Sequence, residues 1–313
     1  MKLLLPDSLP LAPTLPAGVT AVVYDAAAPV PEEHLDAEAL VVWGSSRADL
    51  AAVAGRMPNL RWVQTLAAGP DAVLAAGFPG DVVVTSGSGL HDATVTEHAL
   101  ALTLALLRRL PQAAAAQAEH RWAPELGGVQ PLRPRGAVTT LIGSRVLVWG
   151  FGNIGQTLAP LLRQLGAEVR GVARTAGRRA GFDVVAEADL DAELASTDVL
   201  VMILPATPET ARALDATRLA ALPAHAHVVN VGRGTTVDED ALAAALTAGE
   251  IAGAALDVTV VEPLPAASPL WDVPNLLITP HAAGGRPVGA DALVAHNVAA
   301  LLDGEPLRNV VAR

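Results

Sequence analysis

The stretch Arg145-Val-Leu-Val-Trp-Gly-Phe-Gly-Asn-Ile-Gly155 constrains the fold more than any other part of this chain. Five residues that read as a buried strand run into Gly150-x-Gly152-x-x-Gly155, and an apolar-periodic run from Ile154 to Leu165 follows. That succession predicts a strand, a tight turn and a helix. Gly150 permits the turn, Gly152 admits a pyrophosphate close to the backbone, and Gly155 lets the helix pack against the strand. The helix start, with Asn153 and Ile154, offers N–H groups and a partial positive charge to an anion. A second strand over Glu168–Ala173 completes the context. Three glycines alone would also suit an unrelated turn. The flanking strands select dinucleotide binding.

The end of the second strand speaks to which dinucleotide. An acidic residue about 20 positions past the motif would bind the ribose 2′-hydroxyl of NAD(H). Here stand Arg174 and Thr175, with Arg178 and Arg179 close behind. Guanidinium groups bind a 2′-phosphate bidentately, whereas a carboxylate would repel it. The expectation is NADP(H) in preference, with NAD(H) possible. The alternative is an ordinary solvated basic loop that tolerates either cofactor.

A chain of 313 residues, 51% of them hydrophobic, can build two domains with large cores. No apolar run reaches the roughly 18 residues of a membrane span. The opening Met1-Lys-Leu-Leu-Leu-Pro-Asp is broken too early to read as a signal peptide. With no cysteine, disulfides, thiol catalysis and cysteine-ligated metals are excluded, and no metal site is expected. These features favour a cytoplasmic protein. The net charge of −11 argues against nucleic acid or an anionic membrane as partner. Specific arginines must then supply positive potential locally. Lys2 is the only lysine among 21 basic residues, which reads as genomic base composition.

Short β-like runs at Thr20–Tyr24, Leu40–Trp43, Trp62–Leu66 and Val82–Thr85 alternate with helical stretches, predicting a small parallel α/β domain. A long apolar helix should start at Asp92 or Thr94 and reach Leu107. Residues 123–144 read as an extended connection. Strands are expected at 145–149, 168–173, 198–204, 226–231, 252–257 and 276–278, about six in a doubly wound sheet. Pro160 should kink the helix after the glycine turn. A final helix, near 288–303, should return to the first domain.

Four further patterns now bear on kinship. They are Leu204-Pro-Ala-Thr-Pro-Glu-Thr210, Val229-Asn-Val-Gly-Arg-Gly234, Ala255-Leu-Asp-Val with Glu262-Pro-Leu-Pro265, and Thr279-Pro-His-Ala-Ala-Gly284. In this order the chain resembles the D-isomer-specific 2-hydroxyacid dehydrogenase family, most strongly over about 140–285. Thr65-Leu-Ala-Ala-Gly-Pro-Asp71 and Glu97-His-Ala-Leu100 fit less uniquely. The resemblance implies a Rossmann cofactor domain (101–284) inserted into a flavodoxin-like substrate domain (1–100 and 285–313). It implies cofactor contacts from Leu204, Pro205, Thr207, Val231, Gly232 and Ala283, and from Asp257 to the nicotinamide carboxamide. A buried structural role for Asp257 stays open. The helix near 92–110 would cross between the domains and contribute to a homodimer.

The implied chemistry explains the residue types. Reducing a 2-oxo acid adds hydride to the carbonyl carbon, and negative charge builds on its oxygen. Arg233, in its Gly-Arg-Gly turn, could fork onto the substrate carboxylate and carbonyl oxygen; the alternative is a structural arginine. His281 is the proposed proton donor, since imidazole titrates near neutral pH. Glu262 would stabilise imidazolium and orient the ring; otherwise it is an exposed loop acid. His91, near a Ser-Gly-rich loop, is the competing donor. His98 reads as part of a helix start, and His225 and His227 as solvated. Ala67, Ala68 and Gly69 could offer backbone N–H groups to a carboxylate, or form a plain turn. Pro70 stands where many relatives carry a small aliphatic residue. Trp43, Trp62, Trp122 and Trp271 are better read as core or interface than as pocket.

The leading expectation is NADPH-dependent reduction of small 2-oxo acids, glyoxylate or hydroxypyruvate, to D-2-hydroxy acids. The alternatives are a 3-phosphoglycerate dehydrogenase without regulatory extension and a non-catalytic dinucleotide sensor. Formate oxidation fits less well, because that branch has glutamine where Glu262 stands.

Overall fold

The computed structural model describes residues 1–312. It divides into two compact units, Met1–His91 with Arg286–Arg313, and Asp92–Gly285. The contact boundary falls at His91, earlier than the break expected near residue 100. The reason is packing. Val95, Ala99, Leu102 and Leu106 of the helix Asp92–Leu107 share a core with Val148, Leu158 and Leu162 of the second unit.

The first unit holds β1 (Lys2–Pro6), β2 (Thr20–Tyr24), β3 (Ala39–Val42), β4 (Trp62–Thr65) and β5 (Val83–Thr85). Their order is β2-β1-β3-β4-β5, all pairs parallel, which is flavodoxin-like. β1 was not anticipated. Leu3, Leu4 and Leu5 are all buried, at 0%, 0% and 3% exposure. A strand covered on both faces is uniformly apolar and shows no alternation. Leu4, Val42 and Val63 face one layer of helices. Leu3, Leu5, Val41 and Trp62 face Leu293, Val294 and Val298 of the helix Ala290–Asp303, which returns to this unit as expected.

The second unit holds β6 (Arg145–Trp149), β7 (Glu168–Ala173), β8 (Gly177–Arg179), β9 (Phe182–Ala186), β10 (Val199–Met202), β11 (His227–Asn230), β12 (Gly253–Leu256) and β13 (Leu276–Ile278). The order β13-β12-β11-β10-β6-β7-β9-β8 is the Rossmann arrangement with an added edge hairpin. All pairs are parallel except β8 with β9. That hairpin is not among the six strands expected from the sequence. Val146, Val148, Val201 and Val229 face the helices Asp92–Leu107 and Asn153–Gln164. Leu147, Leu200, Met202 and Val228 face Leu219, Leu242 and Leu246. The helix Asn153–Gln164 continues through Pro160 as one segment. Residues 123–144 hold two short 3-10 turns, Pro124–Leu126 and Pro134–Gly136. Arg133 fastens this connection by donating to both oxygens of Asp198, at 2.9 and 2.8 Å. No helix among the described residues is long and apolar enough to cross a membrane.

Candidate active site

Strand order reverses between β6 and β10, and such a switch point opens a crevice at the carboxyl edge. Gly150 directly follows β6 there with φ +102°, where a side chain is strained. A Cβ on it would also meet the Ile203 carbonyl oxygen at 2.4 Å. Gly155 could not take a Cβ without meeting Gly150 O at 2.9 Å. Around Gly152 there is open space, and the helix it caps has no side-chain cap. A backbone cradle at an uncapped helix start fits the pyrophosphate of a dinucleotide. Across the switch, Leu204 is buried while Pro205 and Thr207 are exposed, and Thr207 N donates to Thr210 Oγ at 2.9 Å. Val231 and Ala283 are buried. Gly232 packs so tightly that a Cβ would lie 2.6 Å from Leu204 backbone atoms.

Beyond β7, Arg174, Thr175 and Arg178 are exposed. Arg179 is already engaged: its guanidinium donates to Thr175 O and Thr175 Oγ, both at 3.0 Å, and to Phe151 O at 3.4 Å. It braces the β7–β8 turn against the glycine turn, and leaves Arg174 and Arg178 projecting.

Arg233 follows β11 directly. The carboxamide of Asn230, fully buried, clamps this turn: it accepts from Gly232 N at 3.0 Å and donates to Arg233 O at 3.1 Å. Thr236 Oγ donates to the same carbonyl at 2.6 Å, and Arg233 Nη1 donates to Gly232 O at 2.8 Å. Asn230 had no assigned role in the sequence reading. A lone amide ending an apolar strand was its only signal.

Glu262 and His281 meet. His281 Nδ1 lies 2.7 Å from Glu262 Oε2, with side chains 46% and 37% exposed respectively. The other oxygen, Oε1, accepts from Thr259 N at 3.0 Å, which fixes the carboxylate plane. Glu239 sits behind this loop, accepting from Val260 N at 2.7 Å. Burial pushes its carboxyl up, the backbone bond opposes this, and the charges of Asp240 and Glu262 add to the rise. His281 itself adopts φ +51°, a left-handed conformation that costs a non-glycine residue on the order of 1–3 kcal/mol. Its N–H is held by Asp257 O at 2.8 Å and Thr279 O at 3.0 Å. The Asp257 carboxylate, 1% exposed, accepts from Thr279 Oγ (2.6 Å), Ala282 N (2.8 Å) and Ala283 N (3.1 Å). So Asp257, for which the sequence leaves a nicotinamide contact or a buried structural role open, is bonded into the turn that carries His281.

Of the other histidines, His227 departs from its expected solvated place and is buried at 8% exposure. His225 pairs with Asp198 at 2.8 Å. His98 lies against Asp257 and Thr279. In the first unit, His91 is buried, its Nε2 bonds Leu66 O at 2.7 Å, and its ring stacks on Trp43 at 5.5 Å. Carbonyl oxygen only accepts, so Nε2 is the donor and His91 braces the 66–70 loop. There Ala67 N donates to Thr65 Oγ at 3.1 Å, and Gly87 N donates to Ala67 O at 2.8 Å. Trp62 is core, at 0% exposure, whereas Trp122 and Trp271 are exposed.

A doubly wound sheet with a glycine cradle at its switch point, and Arg233, Glu262 and His281 beyond β11, β12 and β13 on the same edge, defines a dinucleotide-binding α/β protein. Residues 100–283 match the sequence profile of the D-isomer specific 2-hydroxyacid dehydrogenase NAD binding domain. The chain belongs to the D-isomer-specific 2-hydroxyacid dehydrogenase family. It is 36% identical over 280 residues to D-3-phosphoglycerate dehydrogenase of Mycobacterium bovis, covering 86% of this chain and 50% of that one. It thus spans about half the length of that relative. A D-isomer specific 2-hydroxyacid dehydrogenase from Xanthobacter autotrophicus, solved with NADPH and MES, superposes with a TM-score of 0.78 at 35% identity. That likeness covers 95% of this chain and 90% of the other. An NADPH-dependent glyoxylate/hydroxypyruvate reductase from Sinorhizobium meliloti, solved with NADP and sulfate, gives 0.80 at 28% identity, covering 99% and 97%.

Proposed function

We propose that this chain binds NADP(H) in preference to NAD(H) and reduces small 2-oxo acids of the glyoxylate and hydroxypyruvate class to D-2-hydroxy acids. The observation that carries the reading is the 2.7 Å Glu262–His281 pair at the sheet edge that also bears Arg233. The nicotinamide, when bound, supplies the hydride. His281 is held through Nδ1, which leaves Nε2 to give a proton to the carbonyl oxygen. Glu262 stabilises the imidazolium and fixes the ring. Arg233 clamps the substrate carboxylate and polarises the carbonyl, its backbone set by Asn230. Arg174 and Arg178 take the 2′-phosphate, with Thr175 beside them. Gly150, Gly152, Asn153, Ile154 and Gly155 hold the pyrophosphate; Leu204, Pro205, Thr207, Val231, Gly232 and Ala283 line the cofactor. In the first unit the proposal assigns anion binding to the N–H groups of Ala68 and Gly69, since that of Ala67 is bonded to Thr65.

The NADPH-bound and NADP-bound relatives support the cofactor preference. The mycobacterial likeness favours a second reading, oxidation of 3-phosphoglycerate. A homodimer is proposed on family grounds, and exposed Leu110, Trp122, Val129 and Leu132 support a further contact surface. The test is NADPH and NADH oxidation against glyoxylate, hydroxypyruvate, phosphohydroxypyruvate, pyruvate and bulkier 2-oxo acids. The proposal requires the highest kcat/KM with NADPH and one of the first two. A preference for phosphohydroxypyruvate would select the second reading. Tight cofactor binding without turnover would indicate a sensor.

A further inference from the structure

The helix Asp92–Leu107 brings His98 to the strand ends that carry the acid–base pair. His98 Nε2 lies 3.1 Å from Asp257 Oδ1 and 3.0 Å from Thr279 Oγ. Thr279 directs its own hydroxyl hydrogen to Asp257 Oδ1 at 2.6 Å, so only its lone pairs face His98. Both neighbours are acceptors, and Nε2 must carry the hydrogen. His98 therefore donates to Thr279 Oγ with Asp257 Oδ1 3.1 Å away, and so ties a helix to two strand ends.

Asp257 needs such a donor. A buried carboxylate is tolerated only when hydrogen-bonded and paired. Among the described residues, the ionisable side chain paired with it is His98. Asp257 in turn receives Ala282 N, Ala283 N and, on its carbonyl, His281 N. These bonds hold the 279–283 turn and the left-handed backbone of His281.

We propose that His98 is a positioning residue: by fixing Asp257 and Thr279 it sets the turn that aims His281 at Glu262. The inference rests on the reading of His281 as proton donor. It deepens that reading by extending the acid–base apparatus to a helix remote in sequence, Thr279 lying 181 positions beyond His98.

The test compares His98→Leu, His98→Asn and His98→Gln. Gln presents an amide N–H near the place of Nε2, and Asn is too short to reach. The first readout needs no cofactor: the downfield proton resonance of the His281 Nδ1–H hydrogen bond to Glu262, assigned by its loss in His281→Asn. It should vanish or broaden in the Leu and Asn variants and return in Gln. The second is turnover. kcat should fall about 10- to 100-fold in Leu and Asn, as for a misplaced catalytic group. Gln should recover most of it, and the NADPH Kd should not change. If Leu does not fold, Asn carries the same comparison. A lowered Tm with resonance and kcat kept at wild-type values overturns the proposal, since His98 would then only stabilise the helix. If His281→Asn itself retains turnover, the proton-donor reading falls, and the resonance alone decides the role of His98.

Discussion

Replacing His227 by leucine isolates the effect of one buried ionisable group on stability. His227 opens β11 at 8% exposure, and its Nδ1 has no hydrogen-bond partner. Burial, then the nearby charges of His225 and Arg109, push it down from 6.5 to about 4. The folded protein thus keeps this ring neutral where the unfolded chain would protonate it. Stability must rise with pH across that window. Below pH 6.5 the unfolded state takes up a proton that the native state refuses, and the penalty grows until about pH 4. A depression of 2.5 units (6.5 minus 4) at about 1.36 kcal/mol per unit gives about 3 kcal/mol. Leucine keeps the apolar volume and removes the titration. Urea unfolding of both proteins at several pH values between 8 and 4 gives the difference in stability. That difference should be flat above pH 7 and move toward the variant by about 3 kcal/mol near pH 4. Parallel curves across the whole range would refute the argument.

Three further outcomes concern the site. Arg233→Lys keeps the charge but cannot span two oxygens, so kcat/KM should fall about 100-fold or more with NADPH affinity unchanged; steady-state kinetics and cofactor titration check it. Arg174→Asp should lower the NADPH-to-NADH ratio of kcat/KM by about 10- to 100-fold, the loss of a charge-assisted bond plus repulsion. An unchanged ratio would remove Arg174 from the phosphate site. Glu262→Gln should lower kcat about 100-fold, because an amide cannot stabilise the imidazolium; near-normal turnover would reduce Glu262 to a loop acid.

Local periodicity and spacing made most of the second unit legible. The run 145–149, the three glycines and the apolar strands near 198, 226, 252 and 276 all appear as elements there. Glu262 and His281 stood out through motifs of the types the proposed chemistry needs, and their contact lies beyond adjacent β12 and β13. β1 escaped because a doubly buried strand has no alternation to read. The β8–β9 hairpin escaped because it is short, arginine-bearing and opens on Gly177, with φ +148°. Long-range polar contacts were invisible for a different reason. Nothing near His98 in sequence specifies Asp257 or Thr279 as its partners, and nothing near His227 specifies its burial, since both are set only by tertiary packing.

The central claim, that His281 gives the proton during reduction, is tested most directly by single-turnover NADPH oxidation on excess glyoxylate. Wild type and His281→Asn are compared, each preloaded with cofactor at a concentration set by its own measured Kd. The account predicts the same NADPH Kd and a hydride-transfer rate at least about 100-fold slower in the variant. Equal rates in the two proteins would contradict it.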